Sequence, residues 1–240
     1  PTLEFSIPDS SFEGQAELFN VNAEDKGAND KLTFLWSFGD GSTDSNKQAS
    51  YKYLDDGQFN VFITVKDNDG GTTTLNQLID IKNVAPILKV TIPKKKYEGS
   101  KIDIIAEVES DPGIQDKHVF QFSYGDGTIT DNPNHIYQDN GEFEIEVVLD
   151  DGDGGTDTLT QSITIVNLPP QILGTLIQEA NEGELIDLNL SVEDPGNMDT
   201  HSYYWDFGDG SSDSVLQTQH IFDDDGKYEL LIKVTDDDGA

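Results

Sequence analysis

A threefold internal repeat constrains the fold of this chain more than any other feature of its sequence. The same turn motif occurs as Phe38-Gly39-Asp40-Gly41, Tyr124-Gly125-Asp126-Gly127 and Phe207-Gly208-Asp209-Gly210. A Glu-Gly pair precedes each turn, at residues 13–14, 98–99 and 182–183. Similarity at a fixed period indicates tandem copies of one structural unit. The sequence therefore predicts three domains in a linear array, at residues 1–85, 86–169 and 170–240.

The third unit is shorter than the other two. Asn83 and Asn167 close the first two units, each 26 residues after an equivalent glycine (Gly57 and Gly141). The same offset from Gly226 falls beyond Ala240. We therefore expect the third domain to lack its last strand within this sequence.

Alternation of apolar and polar residues predicts that each unit is built from strands. In the first unit the apolar positions after Gly57 are Phe59, Val61, Ile63 and Val65. This period of two is typical of a strand with one buried face. Several short strands separated by Gly/Asp turns, in units of about 84 residues, predict an all-β protein made of small antiparallel sandwiches.

Aromatic residues alternate in the strand before each Gly-Asp-Gly turn, and this pattern places Trp36 and Trp205 in the cores. The segment Ala16–Val21 shows no clear alternation, which predicts a bulge there. Phe19, Phe62 and Tyr204 lie outside the core pattern and are predicted to be exposed.

Composition excludes several classes of function. The chain carries 14 basic residues, all lysine, against 47 acidic residues, and it has no cysteine. Binding to a nucleic-acid backbone needs clustered basic residues, so nucleic acid is excluded as a partner. The absence of cysteine excludes disulfides, zinc knuckles and a thiol nucleophile. No apolar run approaches the roughly 18 residues of a membrane span, so we expect no membrane insertion within this segment.

The motifs of the third unit resemble those of the polycystic kidney disease (PKD) repeat. They read Tyr204-Trp-Asp-Phe-Gly-Asp-Gly210, then His220-x-Phe222-x-x-x-Gly226-x-Tyr228, then Val234-x-Asp236-x-x-Gly239. The other two units carry the same pattern, except that Phe122 replaces the tryptophan in the second unit and the first unit has no histidine at the equivalent position. The resemblance implies immunoglobulin-like sandwiches in extracellular or surface proteins, used as spacers, adhesion modules or ligand contacts. It does not imply catalysis, and we expect no enzyme.

Acidic residues recur at two loops of every unit. In an immunoglobulin-like topology the B–C loop and the F–G hairpin project from the same end of the domain, where the chain enters it. Carboxylates gathered there repel one another unless a cation lies among them, and a set of oxygen ligands suits Ca²⁺. The predicted calcium ligands, with the asparagines that precede two of the units, are Asp25, Asp30, Asp67, Asp69, Asn83, Asp111, Asp116, Asp151, Asp153, Asn167, Asp194, Asp199, Asp236 and Asp238.

Two other interpretations of these acids remain open at this stage. Asp is common in turns because its side chain accepts hydrogen bonds from neighbouring backbone N–H groups, so turn chemistry alone could explain the pattern. Alternatively, an ion could lie in the joint between units, as in a cadherin, with Glu13 reaching Asp111 and Asp116. The linkers Asn83–Pro86 and Asn167–Pro170 lack the acidic run of a cadherin.

Three functions are compatible with this pattern. The first is a non-catalytic extracellular spacer and interaction module of a larger surface or secreted protein, stabilised by calcium. The second is a subunit of a filament or surface layer that uses strand-edge complementation. The third is a set of accessory substrate-binding domains of a secreted hydrolase. The expected partners are neighbouring domains of the same chain, other copies, surface proteins or glycans.

Overall fold

The computed structural model describes residues 1–27, 30–174 and 179–240. Within these ranges the regular elements are strands, with no helix and therefore none that could span a membrane. The first repeat contains β1 (Thr2–Ser6), β2 (Ser10–Phe12), β3 (Ala16–Glu24), β4 (Thr33–Ser37), β5 (Thr43–Asp44), β6 (Gln48–Lys52), β7 (Gly57–Lys66) and β8 (Thr72–Lys82). The second contains β9 (Ile87–Thr91), β10 (Lys95–Tyr97), β11 (Lys101–Asp103), β12 (Ile105–Ser110), β13 (Val119–Ser123), β14 (Ile129–Thr130), β15 (Asn134–Ile136), β16 (Gly141–Asp150) and β17 (Thr156–Val166). The third contains β18 (Gln171–Leu173), β19 (Leu185–Asn189), β20 (Ser191–Glu193), β21 (His201–Asp206), β22 (Ser212–Asp213), β23 (Gln217–Ile221) and β24 (Leu231–Asp236).

The first repeat is a two-sheet sandwich. One sheet has the order β2-β8-β7-β4-β5 and the other the order β1-β3-β6. Strands β7 and β8 pair antiparallel over their whole length, from Gly57 opposite Ile81 to Lys66 opposite Thr72. The alternation predicted for β7 is confirmed, because Val61, Ile63 and Val65 are fully buried while the residues between them face outward.

The same pairing recurs in the other repeats. The second repeat has a five-stranded sheet in the equivalent order, β10-β17-β16-β13-β14, with the smaller pairs β11-β15 and β12-β9. In the third repeat the described strands form β22-β21-β24, β18-β20 and β19-β23. In the first two repeats a short strand ends directly before the Glu-Gly pair. This strand, β2 in the first repeat and β10 in the second, pairs in parallel with the last strand of its repeat, β8 or β17.

The chain divides into two compact units, and each unit contains part of the second repeat. The first unit comprises Pro1–Val90, Ala106–Gln121 and Val147–Leu159, and the second comprises the remaining residues. The core of the first repeat lies in the first unit around Trp36, which is fully buried with Phe5 and Phe19 at its ring edge. The core of the third repeat lies in the second unit around Trp205, which is also fully buried. Both tryptophans are therefore core residues, as predicted.

Strand β3 differs from the prediction. It runs without a bulge from Ala16 to Glu24 and keeps continuous register with β1 and β6. Its inward side carries Phe19 and Val21, so the expectation that Phe19 is exposed is wrong. The alternation is hidden in the sequence because Glu17 takes an inward position and Leu18 an outward one. Glu17 is tolerated there because its carboxylate accepts hydrogen bonds from the Ser11 hydroxyl and the Gln15 amide.

Candidate metal sites

The two acidic loops of the second repeat meet, as the sequence predicts. The backbone N–H of Lys117 donates to the carbonyl of Asp151 at 3.0 Å, which joins the loop after β12 to the β16–β17 hairpin. The Asp151 carboxylate is fixed within its own hairpin, because one oxygen accepts the N–H groups of Asp153 and Gly155 at 2.9 Å each. The convergence of carboxylates at one end of the repeat is thus a property of the fold.

Residues of the preceding repeat lie at the same place. The carboxylate of Glu13 has an oxygen within 4.8 Å of oxygens of Asp111 and Asp116, and Glu98 is similarly grouped with Asp139 and Asp199. We use the word joint for such a glutamate together with the two aspartates of the next repeat's B–C loop, the asparagine of the linker and the aspartate that this asparagine contacts. The first joint comprises Glu13, Asn83, Asp111, Asp116 and Asp151. The second joint comprises Glu98, Asn167, Asp194, Asp199 and Asp236. The first joint lies wholly within the first compact unit and the second wholly within the second.

Buried oxygen atoms without a hydrogen-bond partner are concentrated at these joints. Among the described residues, the buried side-chain N and O atoms that lack a partner are Glu13 Oε2, Asn83 Oδ1, Glu98 Oε2, Asp116 Oδ1, Asp116 Oδ2, Asn167 Oδ1 and Asp199 Oδ2. All seven are oxygen acceptors, and all belong to the two joints. A buried acceptor without a partner is costly, so a native protein needs something to satisfy it.

Each glutamate and each asparagine uses one end of its side chain to hold the linker and leaves the other end unpaired. Glu13 Oε1 accepts the N–H of Val84 at 2.7 Å, while Oε2 has no partner. Asn83 Nδ2 donates to Asp151 Oδ2 at 2.8 Å, while Oδ1 has no partner. The second joint repeats both contacts, from Leu168 N–H to Glu98 Oε1 at 2.6 Å and from Asn167 Nδ2 to Asp236 Oδ2 at 3.0 Å.

Burial and mutual repulsion raise the pKa values of the unpaired carboxyls. Loss of hydration and, to a smaller extent, the neighbouring charges of Asp116 and Asp111 together raise the pKa of Glu13 to about 7, against the lowering effect of the hydrogen bond from Val84. The same causes raise the pKa of Asp116 to about 6 and that of Asp199 to about 6. Burial also raises the pKa of Glu98. These carboxylates therefore lack a positive partner among the described protein groups.

Two histidines, His118 and His201, hold carboxylates of the joints. His118 Nε2 lies 2.7 Å from Asp111 Oδ2, and His201 Nε2 lies 2.7 Å from Asp194 Oδ2. The other oxygen of each aspartate accepts the N–H of Gly113 or Gly196 at 3.1 Å. The signal that could have indicated this role is the shared spacing of seven residues between each aspartate and its histidine.

The remaining predicted ligands lie around the same ends of the repeats. Asp25, Asp30 and Asp67 form a group of their own, in which Asp25 Oδ2 lies 2.8 Å from the ammonium of Pro1. Asp69 lies close enough to Asp30 to raise its pKa. Asp153 is grouped with Asp55 and Asp56 of the first repeat, and Asp238 acts electrostatically on Glu98. Sequence reasoning did not include Glu13, Glu98 or Asp139 in its ligand set, although it considered Glu13 as a joint ligand.

The donor set at the joints fits a hard divalent cation. Every unpaired atom is a carboxylate or amide oxygen, which is the ligand type of Ca²⁺ and Mg²⁺. Ca²⁺ takes 6–8 oxygens in flexible geometry, whereas Mg²⁺ demands a near-ideal octahedron. A set drawn from two repeats and a linker is irregular, so it suits Ca²⁺ better.

Comparison with known proteins agrees with the repeat pattern. A family profile described as "PKD domain" matches residues 1–82, 83–166 and 167–240. Collagenase ColA from Clostridium perfringens is 27% identical over 107 residues, which are 45% of this chain and 9% of that protein. The chain thus spans under a tenth of the length of this relative.

Solved structures of single PKD domains are also similar. The PKD1 domain of Vibrio anguillarum Epp is 24% identical with a TM-score of 0.29, covering 34% of this chain and 92% of that domain. The PKD1 domain of the Vibrio cholerae metalloprotease PrtV is 26% identical with a TM-score of 0.28, covering 33% of this chain and 91% of that domain. Because the family profile matches three successive segments that together span the chain, this protein belongs to the PKD domain family and consists of tandem immunoglobulin-like PKD repeats.

Proposed function

We propose that this chain is a non-catalytic extracellular spacer and interaction module of a larger surface or secreted protein, and that Ca²⁺ stabilises it at the N-terminal ends of its repeats. The observation that carries this proposal is the set of seven buried oxygens without partners at the two joints. A cation in each joint would give its carboxylate oxygens the partner that they lack. Turn chemistry alone explains only the carboxylate oxygens that accept backbone N–H groups.

The charge of the chain supports the same role. A formal charge of −33 would destabilise a compact state through self-repulsion, and bound divalent cations would reduce that repulsion where it is strongest. Extracellular fluid holds Ca²⁺ at concentrations that suit sites of modest affinity. An acidic surface also keeps a long exposed protein from associating non-specifically.

Calcium is expected to raise the thermal stability of this protein. A ligand that binds only the folded state at a free concentration tenfold above its Kd, as millimolar Ca²⁺ would be for a Kd of about 10⁻⁴ M, stabilises that state by about 1.4 kcal/mol per site. For domains of this size, we expect the unfolding midpoint to rise by roughly 5–10 °C. The measurement is thermal unfolding in millimolar Ca²⁺, in Mg²⁺ and in chelator.

The matched control is a double variant, Asp116→Asn with Asp199→Asn, which keeps the shape of both side chains but removes a charge from each joint. Its midpoint should depend much less on Ca²⁺. If the wild-type protein has the same unfolding midpoint in millimolar Ca²⁺ as in chelator, the calcium proposal is wrong.

A further inference from the structure

The Glu-Gly pair of one repeat is built to meet the N-terminal end of the next. Gly14 has a positive φ of 72°, and a β-carbon there would overlap Pro112 of the second repeat. Gly99 has a φ of 66°, and a β-carbon there would lie 2.7 Å from Cβ of Pro195 in the third repeat. Glycine is therefore required at these positions for two reasons. It leaves room for the close approach of the next repeat, and it adopts a backbone conformation that other residues rarely adopt.

This approach buries the adjacent glutamate. Glu13 is 2% exposed and Glu98 is fully buried. Neither has a salt-bridge partner among the described residues, and each leaves Oε2 without a hydrogen bond. A buried carboxylate is normally paired or bound to a metal, because its desolvation is otherwise uncompensated.

Each glutamate lies in a group of three carboxylates. Glu13 shares its group with Asp111 and Asp116, and Glu98 shares its group with Asp139 and Asp199. Three carboxylates with oxygens within 4.8 Å of one another are mutually repulsive in a poorly hydrated place. A divalent cation among them would convert this repulsion into coordination.

The third repeat carries the same pair in a different setting. Glu182 is exposed, and a β-carbon at Gly183 would meet nothing within 4 Å, although Gly183 has the same positive φ of 73°. Burial of the glutamate is therefore a consequence of the following repeat and not of the Glu-Gly turn itself.

We infer that Glu13 and Glu98 are inter-repeat calcium ligands, so that each joint cation is bound by two consecutive repeats and by the asparagine of the linker. This inference rests on the proposed function and adds a structural consequence to it. Since Glu13 Oε1 also accepts the N–H of Val84, a cation on Oε2 would fix the linker to the preceding repeat at the same time. Calcium would then set the flexibility of the array and not only the stability of each repeat.

The test compares Glu13→Gln and Glu98→Gln with Glu182→Gln in the full chain, using calorimetric titration with Ca²⁺ and thermal unfolding in chelator. Gln keeps an oxygen for the linker N–H but removes the charge. We expect each joint variant to weaken one calcium site about tenfold or more. In chelator the same variants should melt at a higher temperature than the wild type, because a buried unpaired charge has been removed.

These opposite effects distinguish a ligand from a residue that only supports the fold, which would lower stability in both conditions. Glu182→Gln should change neither the affinity nor the midpoint. If the wild type binds no Ca²⁺, the proposed function itself fails. If the wild type binds Ca²⁺ and Asp116→Asn weakens it, but Glu13→Gln and Glu98→Gln bind as the wild type does, then only the inter-repeat inference is wrong.

Discussion

Metal-free protein is expected to become more stable as the pH falls from 8 to 5. The pKa of Glu13 is raised to about 7, and those of Asp116 and Asp199 to about 6, all above the ordinary values of 4.5 and 3.8. The folded state therefore binds protons more tightly than the unfolded state at these groups. Their contribution to stability is present at low pH and is lost as the pH rises through about 6 to 7.

The size of the effect follows from these shifts. One pKa unit corresponds to about 1.4 kcal/mol, so between pH 8 and 5 we expect about 2 kcal/mol from Glu13 and about 1 kcal/mol from each aspartate. Carboxyls whose pKa values are lowered in the folded state have the opposite effect, because they make the folded state less stable as the pH falls, but they do so only at lower pH. Asp25 and Asp209, whose pKa values are lowered to about 2 by their hydrogen bonds, lose their contribution below about pH 4.

Urea unfolding at pH 8, 7, 6 and 5 in calcium-free buffer measures this dependence. Saturating Ca²⁺ should reverse its sign, because protons then compete with the cation for the same oxygens. Glu13→Gln should remove the largest part of the metal-free effect, and Glu182→Gln should leave it unchanged. Metal-free stability that falls steadily from pH 8 to 5 would contradict the assignment of these buried carboxyls.

The second large effect is expected from Trp36→Ala, which should destabilise the first repeat by about 3–5 kcal/mol. The indole is fully buried between Phe5 and Phe19, and its Nε1 donates to the carbonyl of Asn46 at 3.0 Å. Truncation to Ala removes the ring contacts and leaves that carbonyl without its partner. Since domains are stable by about 5–15 kcal/mol, this loss is a large fraction of the stability of one repeat.

Two controls define the cause. Trp36→Phe keeps an aromatic ring and should cost less, as the second repeat suggests by carrying the buried Phe122 at the equivalent position. Phe62→Ala removes an aromatic side chain that is 38% exposed on the outer face of β7, and it should change stability by about 1 kcal/mol or less. The measurement is urea unfolding followed by circular dichroism, and the fluorescence of Trp205 follows the third repeat separately. A cost for Phe62→Ala that equals the cost for Trp36→Ala would show that burial does not determine the effect.

The sequence was sufficient to predict the repeats and the strands. Period-two alternation and the Gly-Asp-Gly turns are local signals, and strands such as β7 and β16 follow them directly. The meeting of the two acidic loops was also predictable, because it follows from sandwich topology. Strand β3 was the exception: Glu17 faces inward and Leu18 outward, and the inward carboxylate is satisfied by hydrogen bonds from Ser11 and Gln15.

The composition of the joints could be predicted only in part. Asp111 and Asp116 belong to one loop, and their proximity is a local property. The burial of Glu13 depends on the approach of Gly14 to Pro112, which is a contact between repeats that no local pattern encodes. The two oxygens of Glu13 also differ in a way that the sequence does not indicate, because Oε1 accepts the N–H of Val84 while Oε2 has no hydrogen-bond partner.

Diffraction from crystals grown with Ca²⁺, recorded at a wavelength where calcium scatters anomalously, tests the central claim most directly. We expect one anomalous peak within coordination distance of Glu13 and Asp116 and another beside Glu98 and Asp199, at about 2.3–2.6 Å from their oxygens. Well-ordered joints without such peaks, in crystals that contain millimolar Ca²⁺, would contradict the claim that the buried carboxylates of this chain are there to bind a cation.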